Sequence, residues 1–286
     1  MGQIDKAEKI LADYNDVFAD IVNVLLFNGE RVVSENSLQN VKDKSQYKAD
    51  DGKLHEQERD VVKLVKDKNV QIALVGFEHQ TGQDTDMPLR IMGYDGAAYR
   101  SQLLNNSPIR CPVITMVLYF GDKHWDKGHT LYDVLNVADR WKPYVSNYEI
   151  NVFEIAFLEQ SQIAKFKSDF RIVADFFVQR RIHKDYTPNR IVVQHVDAIL
   201  KLLTVLTKDN RFESVSGEVK EGGVTMCEVL DKIEARGEAR GEARGIKIGE
   251  ERERARLIKE LKAAGALNPD FDINTLINGS AGGSSQ

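Results

Sequence analysis

The stretch DVVKLVKDKNVQIALVGFEHQ, residues 60–80, decides the fold. Residues 60–66 are rich in β-branched side chains, and Asp67, Lys68 and Asn69 supply turn chemistry. Val70 to Phe77 form a second apolar run. Two such runs around a short polar turn predict a β-hairpin. The second run is apolar on both faces, which predicts a central strand covered from both sides. Asp60 opens the first strand and Glu78 closes the second, so antiparallel pairing brings both carboxylates to one end. With the turn near residues 67–68, the position opposite Asp60 is about 75, so a bulge or offset is needed to align Glu78. Gln80 follows at i+2 and projects from the same face as Glu78.

Carboxylates at the end of an apolar strand are costly to bury without a partner or a metal. Phosphodiester hydrolysis needs developing negative charge stabilised and hydroxide supplied at neutral pH. A Mg²⁺ ion held by two carboxylates can do both. The competing reading is ordinary polar strand ends at a sheet margin.

Upstream, residues 4–27 read as a helix, with Phe18, Ile21, Val22, Leu25 and Leu26 at helical spacing and Gly29 where it would stop. Asp16, Asp20 and Asn23 share one face of it. Residues 30–58 are polar and weakly patterned, with room for one short strand. Downstream, Asp86 is a candidate N-cap and Pro88 sits in the first turn of a helix over 87–104. Its Gly93, Gly96, Ala97 and Ala98 would allow close packing on the sheet. Arg90 and Tyr94 lie one turn apart there, placed either to contact substrate phosphate and brace metal ligands or to pack and solvate. A buried strand over 113–120, a short helix over 130–137 and a strand over 148–155 follow. His124 and His129 flank Trp125 in a glycine- and lysine-rich segment that favours a solvated loop over a metal site. Residues 159–212 are helical in pattern, broken near Pro188.

Residues 225–262 predict one long polar helix. Within it Gly237, Gly241, Gly245 and Gly249 recur every fourth residue beside Arg236, Arg240 and Arg244. Glycine weakens a helix by roughly 1 kcal/mol each, so this stripe suggests close contact with another helix and homo-oligomer formation, against a free charge-balanced helix. The closing GSAGGSSQ has linker composition and is expected to be disordered.

Bulk properties exclude several classes. Hydrophobic residues at 42% and charged residues at 29% fit a soluble globular chain. The longest largely apolar run, 113–120, falls far short of the ~20 residues of a membrane helix. The N-terminus lacks a secretory pattern, and two cysteines in a chain of 286 residues favour a reducing, cytoplasmic setting. The net charge of −5 gives no global support for nucleic-acid binding. Locally, however, residues 163–190 hold 7 basic and 3 acidic side chains, whereas residues 1–60 hold 8 basic and 13 acidic. That is compatible with an acidic metal centre beside a phosphate-contacting surface, or with a solvated helix face.

Six blocks carry a family resemblance: FADIVNVLLFNGE (18–30), RDVVKL (59–64), ALVGFEHQT (73–81), MPLRIMGYDGAAYR (87–100), PVITMVLYFG (112–121) and the arginine–glycine–glutamate repeat. In this order they resemble the Rpn family of recombination-promoting nucleases, also described as PD-(D/E)xK nuclease family transposases. The resemblance implies an α/β fold: a restriction-endonuclease-like core, with a central mixed β-sheet flanked by helices, and a helical C-terminal extension. The expected division is 1–157 nuclease-like core, 158–224 helical extension, 225–262 repeat helix and 263–286 tail.

It further implies that Asp60 and Glu78 bind a divalent metal, Mg²⁺ or Mn²⁺, that Gln80 takes the usual lysine position beside the attacking water, and that Asp20 is the third acidic residue, with Asp16 second. Glutamine can orient water but cannot lend it a charge, so the metal must supply most of the activation. The implied activity is metal-dependent DNA endonuclease chemistry linked to recombination or mobile elements. The alternative is a catalytically weak or inactive nuclease fold that holds DNA or a partner.

Overall fold

The computed structural model describes residues 10–41, 44–48, 54–58, 61–77, 85–105, 109–184, 186–187, 190–207, 210–215 and 223–266, with backbone alone at 44–48, 54–58, 75–77, 206–207 and 213. The chain divides into two units, Met1–Leu230 and Asp231–Gln286.

The first unit is built on the expected hairpin. Strand β4 is Val61–Val65 and β5 is Val70–Phe77, paired antiparallel from Val61 opposite Leu74 to Val65 opposite Val70. Asn69 turns the chain with φ +52°, a left-handed conformation that asparagine tolerates. Upstream come β1 (Leu38–Asn40), β2 (Lys44–Lys48) and β3 (Leu54–Glu58); downstream come β6 (Val113–Tyr119) and β7 (Asn151–Glu154). One sheet runs β1-β4-β5-β6-β7, and β2 pairs with β3 in a separate ribbon. The β1–β4 and β4–β5 pairs are antiparallel, whereas β5–β6 and β6–β7 are parallel. The central position read for residues 70–77 holds. The single strand expected in 30–58 is three strands. Two of them, KSQYK and LHEQE, carry almost no apolar alternation from which to read them.

Helices cover both faces of the sheet. On one, α1 (Asn15–Phe27) buries Val17, Phe18, Ile21 and Val22. Its end matches the expected stop: Asn28 and Gly29 both take positive φ. Its start does not match a continuous helix from residue 4. The chain is extended at Tyr14, and Asp13 turns its carbonyl and carboxylate to Lys63 of β4. Residues 4–9 lie outside the described residues. On the opposite face lies α2 (Met87–Leu104), with the bounds the sequence predicts. Its buried side is Met87, Pro88, Ile91, Tyr94, Asp95 and Ala98; Gly96 is exposed and does not serve sheet packing.

After β6, α3 (Leu131–Leu135) starts with a Thr130–Asp133 capping box. Then follow α4 (Gln160–Ile163), α5 (Phe170–His183), α6 (Val196–Thr207) and α7 (Arg211–Ser214). The Phe177 ring of α5 meets Phe120 at 5.0 Å, just past the end of β6. A two-residue pair, β8 (Val192–Val193) with β9 (Val224–Thr225), is too short to read from pattern.

The long C-terminal helix α8 spans Met226–Ala263, close to the 225–262 expected. Within the second unit Gly237, Gly241, Gly245 and Gly249 have no neighbour within 4 Å of an added Cβ among the described residues. The closing tail, 267–286, lies outside the described residues. No described helix is long and apolar enough to cross a membrane. Cys111 and Cys227 are free thiols. A mixed five-stranded sheet flanked by helices, followed by a C-terminal helix, is the α/β arrangement of a restriction-endonuclease-like core.

Candidate active site

Antiparallel pairing puts the first residue of β4 and the last residues of β5 at one end of the sheet. Asp60 directly precedes β4 in the chain, and Glu78 directly follows β5. Asp60, Glu78 and Gln80 themselves lie outside the described residues, as does His79. The strand register continues the alignment expected from sequence, since Val61 faces Leu74.

A register step falls beside this end. Asn40 faces Lys63 in the β1–β4 ladder, and Lys44 faces Glu58 in the β2–β3 ladder. Three residues separate Asn40 from Lys44, but four separate Glu58 from Lys63. The two ladders are therefore out of step by one residue across positions 59–62.

Lys63 is the residue that pattern reading missed. It is 1% exposed. Its Nζ donates to the Asp13 carbonyl at 2.7 Å, Asp13 Oδ1 at 3.3 Å, Asn15 Oδ1 at 2.8 Å and Asn40 Oδ1 at 2.7 Å. Those oxygens replace its hydration shell and fasten the start of α1 to β4 and β1. A lysine in an otherwise apolar strand was the only signal in the sequence.

The three polar residues expected on one face of α1 do share it. Asp16, Asp20 and Asn23 line a cavity of about 410 Å³ together with Arg31, Lys165 and Lys167. Each has a holding task. Asn23 Oδ1 accepts from the Val32 and Val33 N–H groups, and its Nδ2 donates to the Val33 carbonyl. Asp20 Oδ2 accepts from the Lys167 and Ser168 N–H groups, both at 2.7 Å. Asp16 meets His195 Nε2 at 3.0 Å, and that ring stacks on Tyr14 at 3.7 Å. His195 N–H in turn donates to Asp169, whose carboxyl burial pushes above its ordinary value against the pull of the His195 and Gln194 N–H groups. Part of the basic 163–190 stretch, Lys165 and Lys167, thus faces the helix bearing Asp20.

On α2, Tyr94 packs in a buried cluster with Met87, Ile91, Val117 and Ile150. Its hydroxyl accepts from Arg90 Nη2 at 3.1 Å. Next to it Asp95, 4% exposed, accepts from Thr115 Oγ1 at 2.5 Å and from the Tyr148 hydroxyl. These bonds pin α2, the element after Glu78, to β6.

The parallel strands end in a row, Phe77 beside Tyr119 and Tyr119 beside Glu154. Glu154 meets His124 Nδ1 at 3.2 Å and accepts from the Trp125 N–H at 2.5 Å. Burial pushes the Tyr119 hydroxyl above its ordinary pKa, helped by the charges of Glu154, Asp122 and Asp126. The turn beside it requires glycine: a Cβ on Gly121 would come within 2.1 Å of the Tyr119 hydroxyl. Among the described residues, no three His, Cys, Asp or Glu side chains group to hold a metal ion. Of the proposed ligands, Asp60 and Glu78 are not among those described.

The family profile described as "Putative transposase, YhgA-like" matches residues 38–212, more than half of the chain. The chain belongs to this family. The matched segment of this YhgA-like transposase family member runs from β1 into α7, so it takes in the whole five-stranded sheet and the hairpin end. No curated protein and no solved structure matches the chain. The match bears out the family resemblance and takes in four of its six sequence blocks, those between residues 59 and 121.

Proposed function

We propose that the chain is a divalent-metal-dependent DNA endonuclease associated with recombination or mobile elements. Asp60 and Glu78 hold Mg²⁺, with Mn²⁺ as a substitute, and Gln80 orients the attacking water. The supporting observation is the strand arrangement: β4 begins where β5 ends, the residues adjoining those ends in sequence are the acidic pair, and the ladders slip by one residue beside them. The slip matters because strict alternation over the observed register assigns positions 60 and 78 to opposite faces.

Bound Mg²⁺ would polarise the phosphoryl oxygen and lower the pKa of a coordinated water. The chain's own contribution is positional. Lys63 fixes β4 against α1, and Asp95 fixes α2 against β6. Gln80 offers an amide oxygen and two N–H donors, enough to orient water but not to deprotonate it. Slow turnover follows. The family description points to DNA as the partner, and the proposed location is cytoplasmic, in keeping with two free thiols.

Supercoiled plasmid nicking in Mg²⁺ tests the reading. The wild-type chain nicks, and Asp60→Ala and Glu78→Ala each abolish nicking. Full activity in both variants would sink the assignment. Glutamine at position 80 also supports a second reading, a fold that binds DNA without cutting it; tight DNA binding with no metal-dependent nicking by the wild type would select it. For α8, the open glycine stripe supports self-association. Deleting 231–286 then lowers the mass in solution; an unchanged mass removes the idea.

A further inference from the structure

The His124 loop does more than solvate. His124 has 73% of its side chain exposed, yet three contacts hold its ring. Nδ1 lies 3.2 Å from both Glu154 oxygens, and the ring stacks on Phe157 at 3.8 Å with planes 28° apart. A carboxylate only accepts, so Nδ1 carries the proton and the tautomer is fixed. Glu154 is itself held by the Trp125 N–H.

Phe157 has a second neighbour. The Arg181 guanidinium carbon sits 4.2 Å from its centroid, and Nε donates to the Ala156 carbonyl at 2.7 Å. Two planar groups at about 4 Å cannot share one face of a six-membered ring. Arg181, Phe157 and His124 therefore form a three-layer stack, its outer imidazole face exposed among the described residues. This stack adjoins the C-terminal edge of the parallel strands, because Glu154 closes β7. At about 4.8 Å per strand, Glu154 lies roughly 10 Å along that row from Phe77, the residue before Glu78. Ligands of open α/β sheets gather at this edge.

We infer that this stack is a platform for an unpaired nucleobase of the DNA substrate, which lies on the outer face of His124. Base–aromatic stacking is tolerant of sequence, and the Arg181 cation behind Phe157 holds the stack in place. The proposal rests on the nuclease reading and specifies its substrate: DNA with a single-stranded or splayed base near the cut. The bland expectation for this loop, a solvated segment, accounts for exposure but not for an imidazole fixed on both an edge and a face.

The test is binding without cleavage. The full-length Glu78→Gln chain in Mg²⁺ is titrated against a short fluorescein-labelled single strand and the duplex of the same sequence, read by anisotropy. Adding His124→Ala should weaken single-strand binding about tenfold and duplex binding less; His124→Trp should restore it, which a purely structural or acid–base role would not allow. Phe157→Leu should act like His124→Ala. Unchanged single-strand affinity in His124→Ala, or no recovery in His124→Trp, overturns the platform. A parent that binds only duplex, while the wild type still nicks plasmid, also overturns the platform and leaves the nuclease reading standing. A wild type that neither binds nor cuts DNA removes both.

Discussion

Lys63 and Asp95 are buried charges on opposite faces of one sheet, and they are satisfied in opposite ways. Lys63 meets one carboxylate, Asp13, which is itself 57% exposed, and three uncharged oxygens from Asp13, Asn15 and Asn40. Asp95 meets two hydroxyls, those of Thr115 and Tyr148. The cation is solvated by oxygens of three residues on two separate segments, so it acts as a hub. The anion takes the Thr115 and Tyr148 hydroxyls and acts as a clasp. Each fastens the helix that flanks the proposed metal site: α1 by Lys63, α2 by Asp95.

The largest effect is expected at the hub. Lys63→Met keeps the stem volume but removes every donor, so the Asp13, Asn15 and Asn40 oxygens lose the ammonium. We expect a loss of about 3 kcal/mol in urea unfolding together with loss of nicking. Asp13→Ala should cost less than about 1 kcal/mol, because its carboxylate is largely in water. Equal losses would mean that the ion pair, rather than the neutral oxygens, carries the site.

The clasp should yield less. Asp95→Asn keeps one acceptor and loses the charge assistance, so about 1–2 kcal/mol is expected. Tyr148→Phe removes one donor and should cost about 1 kcal/mol. A double-mutant cycle between them measures their coupling. Additive losses would show that the two groups do not act as one unit.

The same contrast explains what the sequence made legible. Apolar runs at 70–77 and 113–119 announce central strands because burial on both faces demands unbroken apolar character. The hairpin register was legible because the turn at 67–69 leaves little freedom. The polar ribbon of β2 and β3 was not, since strands paired only with each other need no apolar alternation. The helix break at Tyr14 was not either, because its cause, Lys63, is some fifty residues away. On α2 the bounds were legible, and of the small residues expected to pack on the sheet Ala98 is buried and Gly96 is exposed, while Tyr94 and Asp95 take buried places. Of the candidate site, the shared face of Asp16, Asp20 and Asn23 followed from periodicity. The tasks those side chains perform depend on partners 9 to 179 residues distant, which no local pattern encodes.

A third buried charge, Asp169, should have the smallest effect. It is 2% exposed at the start of α5, and its carboxyl pKa is raised because burial outweighs the Gln194 and His195 N–H groups that favour the anion. A raised pKa means that the folded chain keeps the proton at pH values where the unfolded chain has released it. The group's stabilisation is therefore full below the ordinary carboxylate range and declines as pH climbs through the folded-state value. Asp169→Asn does not titrate there. Urea unfolding of both forms between about pH 4 and pH 7 should show the wild type losing ground to the variant as pH rises. A wild type that gains ground instead would mean that the N–H groups dominate, and that Asp169, like Lys63, is a charge whose solvent has been fully replaced by the chain.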